Sequence, residues 1–128
     1  MRIISLLLAN LLFIISCSKV DENTKPDVVV NIKVSKLGYS PSVVEVPYKK
    51  VVLFRITAVD EGIGDDYSQE YYGHCFYILP PYDVMVSNIK KGETKEIKIK
   101  TVFKGKFIFT CPYCSGVFPT KGDLIVKD

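Results

Sequence analysis

From Val28 onward the chain alternates apolar and polar positions or runs in short blocks rich in Val, Ile, Phe and Tyr, broken by Gly, Pro and Asn at strand spacing. Little of it has a helical period. The blocks predict strands near 28–36, 43–47, 50–59, 73–79, 94–101, 105–111 and 122–127, about seven in all. That is the count of an all-β, antiparallel Greek-key sandwich or barrel. Gly38, Pro41, Pro47, Pro80, Pro81, Gly92 and Gly105 stand where ladders should end, since a missing N–H or a permissive φ interrupts strand pairing.

Strand residues of equal parity share a face. In KGKFIFTC, Phe107, Phe109 and Cys111 therefore point one way, and the two rings mark that side as the core. The Cys111 thiol is expected at the inner end of its strand. In GHCFYIL, His74, Phe76 and Ile78 share a face, with Cys75 and Tyr77 on the other. His74 and Cys111 are thus both inward residues. Cys75 reads as a small apolar filler facing away from His74, an additional ligand only if the strand end bulges. Met85 reads as core filler.

The N-terminal pattern is different. MRIISLLLANLLFIIS carries basic Arg2 and an apolar run of leader length, too short to span a bilayer comfortably, and is followed by Cys17. Ile14-Ile15-Ser16-Cys17 resembles the lipobox of bacterial lipoproteins. The resemblance implies a signal peptide over 1–16 and a lipidated N-terminus at Cys17, held to a membrane by acyl chains. Residues 18–27, SKVDENTKPD, are polar and aperiodic and read as a tether, leaving 28–128 as the domain. Such a protein belongs to the cell envelope, with its domain in the periplasm or otherwise outside the cytoplasm.

Composition agrees with one globular domain: 128 residues, 48% hydrophobic and 24% charged. A formal charge of +3 gives no electrostatic reason to propose nucleic acid as partner. Five acids over 60–73 and seven lysines over 90–106 read as solvated faces. Of the four cysteines, lipidation takes one and leaves Cys75, Cys111 and Cys114 in an oxidising compartment.

The tetrapeptide Cys111-Pro112-Tyr113-Cys114 is spelled like the active site of glutaredoxins. That fold needs its dithiol early and at a helix N-terminus, whereas only 14 residues follow Cys114. Three readings remain: a thiol/disulfide redox pair, a structural disulfide, and a metal clamp whose two intervening residues let both sulfurs converge on one ion.

Several segments, in order, resemble the cupredoxins. GYSPSVVEVPYKKVVLFRI is similar to that family's opening strands, and HCFYI to the segment in which a histidine ligand precedes a phenylalanine. KKGETKEIKIKTVFKGKFIFTC is similar to the strands that deliver the ligand cysteine, and GDLIVKD to the closing strand. The resemblance implies a copper-binding β-sandwich, not an enzyme, with His74 and Cys111 as ligands. Cys114 stands where the family places its second histidine, and Thr120-Lys121 where it places a methionine. His74 is the sole histidine, so a two-imidazole blue-copper site cannot form within one chain. His74, Cys111 and Cys114 instead make a soft set suited to Cu(I) and acceptable to Zn(II). The implied work is copper handling or electron transfer at the envelope. Its partners would be the membrane, through Cys17, and a redox or copper-transfer protein.

Overall fold

In the computed structural model, residues 18–62, 73–112 and 121–128 are described here. They contain nine strands: β1 (Val28–Ser35), β2 (Gly38–Ser40), β3 (Val43–Pro47), β4 (Val51–Ala58), β5 (His74–Ile78), β6 (Val84–Ile89), β7 (Thr94–Lys100), β8 (Gly105–Thr110) and β9 (Lys121–Lys127). Two sheets form, one of order β2-β1-β4-β7 and one of order β3-β9-β8-β5-β6. The all-β sandwich is the expected class. Two pairings, β1 with β4 and β3 with β9, are parallel where antiparallel neighbours were expected. The chain leaves the first sheet after β2 and enters the second as β3, so these neighbours are joined by crossovers rather than hairpins.

All seven predicted strands are present, and two more were not predicted. β2 is only three residues long and folds back on β1, with Gly38 (φ 120) opening it rather than ending a ladder. β6 pairs with β5 through a bulge: Phe76 faces Val86 and His74 faces Ile89, one residue more on β6 than on β5. Asn88, at φ 62, absorbs the extra residue.

The core follows from strand parity. Ile32, Val34, Phe54, Ile56, Phe76, Ile78, Ile99, Phe109 and Leu124 are all buried between the sheets. Phe76, Phe109, Phe54 and Tyr39 form an aromatic cluster at one end, with Phe76–Phe109 centroids 5.0 Å apart and Tyr39 edge-on to Phe109 at 5.0 Å. Burying each such ring contributes roughly 1.5–3 kcal/mol. Gly122 makes room for this packing, since a Cβ there would lie 2.2 Å from the Phe109 ring.

The sandwich has two distinct ends. At one, β1 and β4 finish, β5 and β9 begin, and β8 ends at Thr110, which pairs with Lys121. At the other, the turn 48–50 joins β3 to β4. There Val51 pairs with Lys100, and Gly105 with Val126. Buried Thr101 ties this second end together: its hydroxyl donates to Pro47 O and accepts from Lys50 N, while its carbonyl accepts from Lys49 N.

Residues 18–27, composed like a tether, lie against the first sheet. Lys19 bridges to Ile99, Ser18 O accepts from Lys100 N at 3.0 Å, and Lys98 Nζ donates to the carbonyls of Glu22 and Thr24.

Candidate metal centre

His74 opens β5 at the first end of the sandwich, where two glycines let the backbone close tightly. Gly73 has φ +93, and a Cβ on it would sit 2.5 Å from Ile89 O; a Cβ on Gly62 would sit 2.1 Å from the Gly73 carbonyl carbon. Only bare Cα atoms allow residue 62, residue 73 and the end of β6 to meet there. The His74 ring that follows is fully buried at 0% exposure, on the face it shares with Phe76 and Ile78. Parity had placed it inward, and it is inward.

The ring does not stand alone. Nε2 lies 2.7 Å from Asp60 Oδ1, and Asp60 Oδ2 accepts from Lys36 N at 3.0 Å. Asp60, just beyond β4, thus spans from the β1–β2 turn to the head of β5. Burial pushes its carboxyl up, but the hydrogen bonds from Lys36 and His74, with their charges, outweigh that and hold it below the ordinary value. Ionised at neutral pH, the carboxylate accepts the Nε2 proton and fixes the tautomer. A metal would then have to take Nδ1, the arrangement in which a carboxylate orients a ligating imidazole.

Cys111 follows β8 directly and is 1% exposed. β5 and β8 pair Ile78 with Phe109 and Tyr77 with Thr110. Continued by one residue, that register sets Cys111 level with Phe76 and diagonal to His74 on the same face. Diagonal neighbours on an antiparallel pair are about 7–8 Å apart. An imidazole and a thiolate can close that gap on one ion bound at about 2.0–2.3 Å. Beneath them lies the Phe76–Phe109–Tyr39 cluster, an apolar floor that excludes water from the inner side.

Cys114, Cys17, Tyr71, Tyr72, Thr120 and most of the acidic loop lie outside the described residues. Among the described residues no group of three or more His, Cys, Asp and Glu is gathered as a metal site; of the three expected ligands, His74 and Cys111 are among the described residues. The donor chemistry fits a soft ion: one imidazole and one thiolate at a dry strand end, with Cys114 three residues on.

Cys75 falls on the opposite face by alternation and is buried at 1%, the packing role that parity predicts; its carbonyl accepts from Tyr39 Oη at 2.6 Å. The β5–β6 register shifts between His74 and Phe76, with the extra residue on β6. Met85 departs from expectation: it is 40% exposed and pairs with Tyr77, away from His74, so it is neither core filler nor near the centre. It sits in β6, whose outward face the pattern had not revealed. Asp60 and Tyr39 were missed as partners of this end because their contacts join residues 14 and 36 positions apart.

A family profile described as a cupredoxin-like domain matches residues 4–126. The sequence matches no curated protein. Among solved structures, auracyanin B is similar with a TM-score of 0.64 at 16% identity, covering 87% of this chain and 95% of that one. The metal-binding domain of the Cu(I)-exporting P-type ATPase CopA of Streptococcus pneumoniae D39, solved with Cu(I), is similar with a TM-score of 0.55 at 16% identity, covering 87% and 93%. Auracyanin A, a "blue" copper protein of Chloroflexus aurantiacus, gives 0.53 at 14% identity, covering 77% and 97%. At such identities the likeness is one of fold.

Proposed function

Because the chain belongs to the cupredoxin-like domain family, we propose that it binds copper through His74, Cys111 and Cys114, non-catalytically, at the cell envelope. Copper handling or electron transfer is its work there. The observation that supports this most is the placement of His74: a fully buried imidazole, oriented by Asp60, on the face that the β5–β8 register gives to Cys111. A buried histidine with a carboxylate on Nε2 presents Nδ1 as a lone-pair donor. Copper would supply the redox chemistry when bound. The chain's own residues orient the imidazole, supply the thiolates and keep water from the inner side.

Two thiolates and one imidazole favour Cu(I), and a set that holds one oxidation state firmly suits carriage of the ion better than shuttling electrons. Zn(II) would fit the same donors with a fourth ligand. Lipidation at Cys17 and residence in the envelope belong to the same proposal and rest on the leader pattern.

Anaerobically purified, reduced protein is expected to take up one Cu(I) per chain, read by competition with a Cu(I) chelator, and to lose it in His74→Ala and Cys111→Ala. Metal-independent disulfide exchange by Cys111, with no Cu(I) uptake, would establish the thiol redox reading instead. Cys111 follows a strand and is buried, neither of which activates a thiol. Loss of stability alone on replacing Cys111 and Cys114 with Ser, with Cu(I) binding absent in the parent, would mark a structural disulfide.

A further inference from the structure

The end of the sandwich remote from His74 concentrates positive charge. Lys49 and Lys50 form the β3–β4 turn, Lys100 closes β7 and Lys104 precedes β8, all four exposed. The Thr101 clasp holds these segments against one another, since Lys49 N donates to Thr101 O and Thr101 N to Lys50 O. Two of the ammonium groups share one ring: Lys49 Nζ lies 5.3 Å and Lys104 Nζ 5.0 Å from the Tyr48 centroid. The acids nearby are engaged. Asp128 pairs with Lys104, Glu45 with Lys127, and Asp27 accepts from Val51 N. Among the described residues, Lys49, Lys50 and Lys100 have no carboxylate within ion-pair distance. Lys49 also holds a φ of 60, a backbone region that lysine rarely adopts, and Phe103 beside Lys104 is 38% exposed.

Lysines with amphipathic or exposed aromatic rings suit a lipid headgroup layer, where ammonium groups meet phosphates and rings sit at the boundary. Two further facts choose that occupant. Ser18 is held to Lys100, so the chain leading to Cys17 joins the domain at this same end. On the lipoprotein reading the next residue back, Cys17, carries the acyl chains. We infer that this end, carrying Lys49, Lys50, Lys100 and Lys104 around Tyr48, lies on an anionic bilayer and turns the His74 end away from it. The inference rests on the membrane-anchored reading at Cys17 and deepens it by assigning a docking face and an orientation.

The test is a lysine footprint on the processed, lipidated protein purified from membranes and incorporated into phosphatidylcholine vesicles with or without phosphatidylglycerol, using an amine-acetylating reagent and mass spectrometry. Lys49, Lys50, Lys100 and Lys104 should react several-fold more slowly when phosphatidylglycerol is present. Lys36, Lys90 and Lys121, exposed at the other end, should react equally on both. High salt should erase the difference. Replacing the four lysines by Gln should lower the preference for anionic vesicles by about fivefold per lysine removed. Equal reactivity of the four on both vesicles, or protection of Lys36, Lys90 and Lys121 instead, would overturn the inference. Retention on phosphatidylcholine alone reports the anchor separately. If that retention fails, anchoring at Cys17 falls, and the footprint on phosphatidylglycerol vesicles still decides for or against the docking face.

Discussion

At the residue scale, the informative contact is between Asp60 and His74. Parity along HCFYI was enough to turn His74 inward, and parity along KFIFTC to turn Cys111 inward, because period two is a local property of the strand. Asp60 was not legible. Within the sequence it is one acid among five in a loop, and only the closure of the sheets brings it to the ring. On the copper reading, Asp60→Ala should weaken Cu(I) binding by about 10–100-fold and also lower copper-free stability by about 1–3 kcal/mol by stranding the buried Nε2 proton, and Asp60→Asn, which keeps an acceptor, should restore part of both. Chelator competition on the variants checks this. The low carboxyl pKa also has a sign: stability from Asp60 is present above the unfolded carboxylate value and lost as pH falls through the folded one. Because the side chain is 36% exposed, solvent screening keeps the effect small. Urea unfolding at neutral and acid pH should show a shallower acid-side decline in Asp60→Asn than in the parent.

At the scale of the element, seven strands announced themselves and two did not. β6 was hidden because Ser87-Asn88 breaks its alternation at the bulge and Met85 suggests burial that the strand does not provide. β2 is too short to show a period. Direction was also illegible: alternation marks faces equally well in either sense, so the parallel partners β1–β4 and β3–β9 emerged only from the path of the chain. The β8–β9 contact offers a sharp check on packing. Gly122→Ala should destabilise the fold by about 1–3 kcal/mol, because the new methyl overlaps the Phe109 ring and Ser42 O. Combined with Phe109→Leu, the cost should fall short of the sum of the single changes, as measured by denaturant unfolding.

At the scale of the whole molecule, the copper and membrane readings give the two ends separate tasks. β4 alone, eight residues long, spans about 25 Å between them. The segment between 18 and 27 is part of this organisation over the described residues, because Lys98 holds two of its carbonyls. Lys98→Met should speed amide exchange in residues 19–25 with little loss of global stability, which hydrogen-exchange mass spectrometry would resolve. Composition could not foresee this, since a polar aperiodic segment looks the same whether it floats or lies on a sheet.

The same docked segment bears on crowding. Each border of the two sheets is interrupted: β2 is a single short turn of pairing, β3 closes on Pro47, β6 is kinked at Asn88, and Lys19 already occupies part of β7. Over the described residues a neighbouring copy therefore meets no long open row of amides on which to zip, and molecules packed side by side should stay dispersed instead of growing into fibrils.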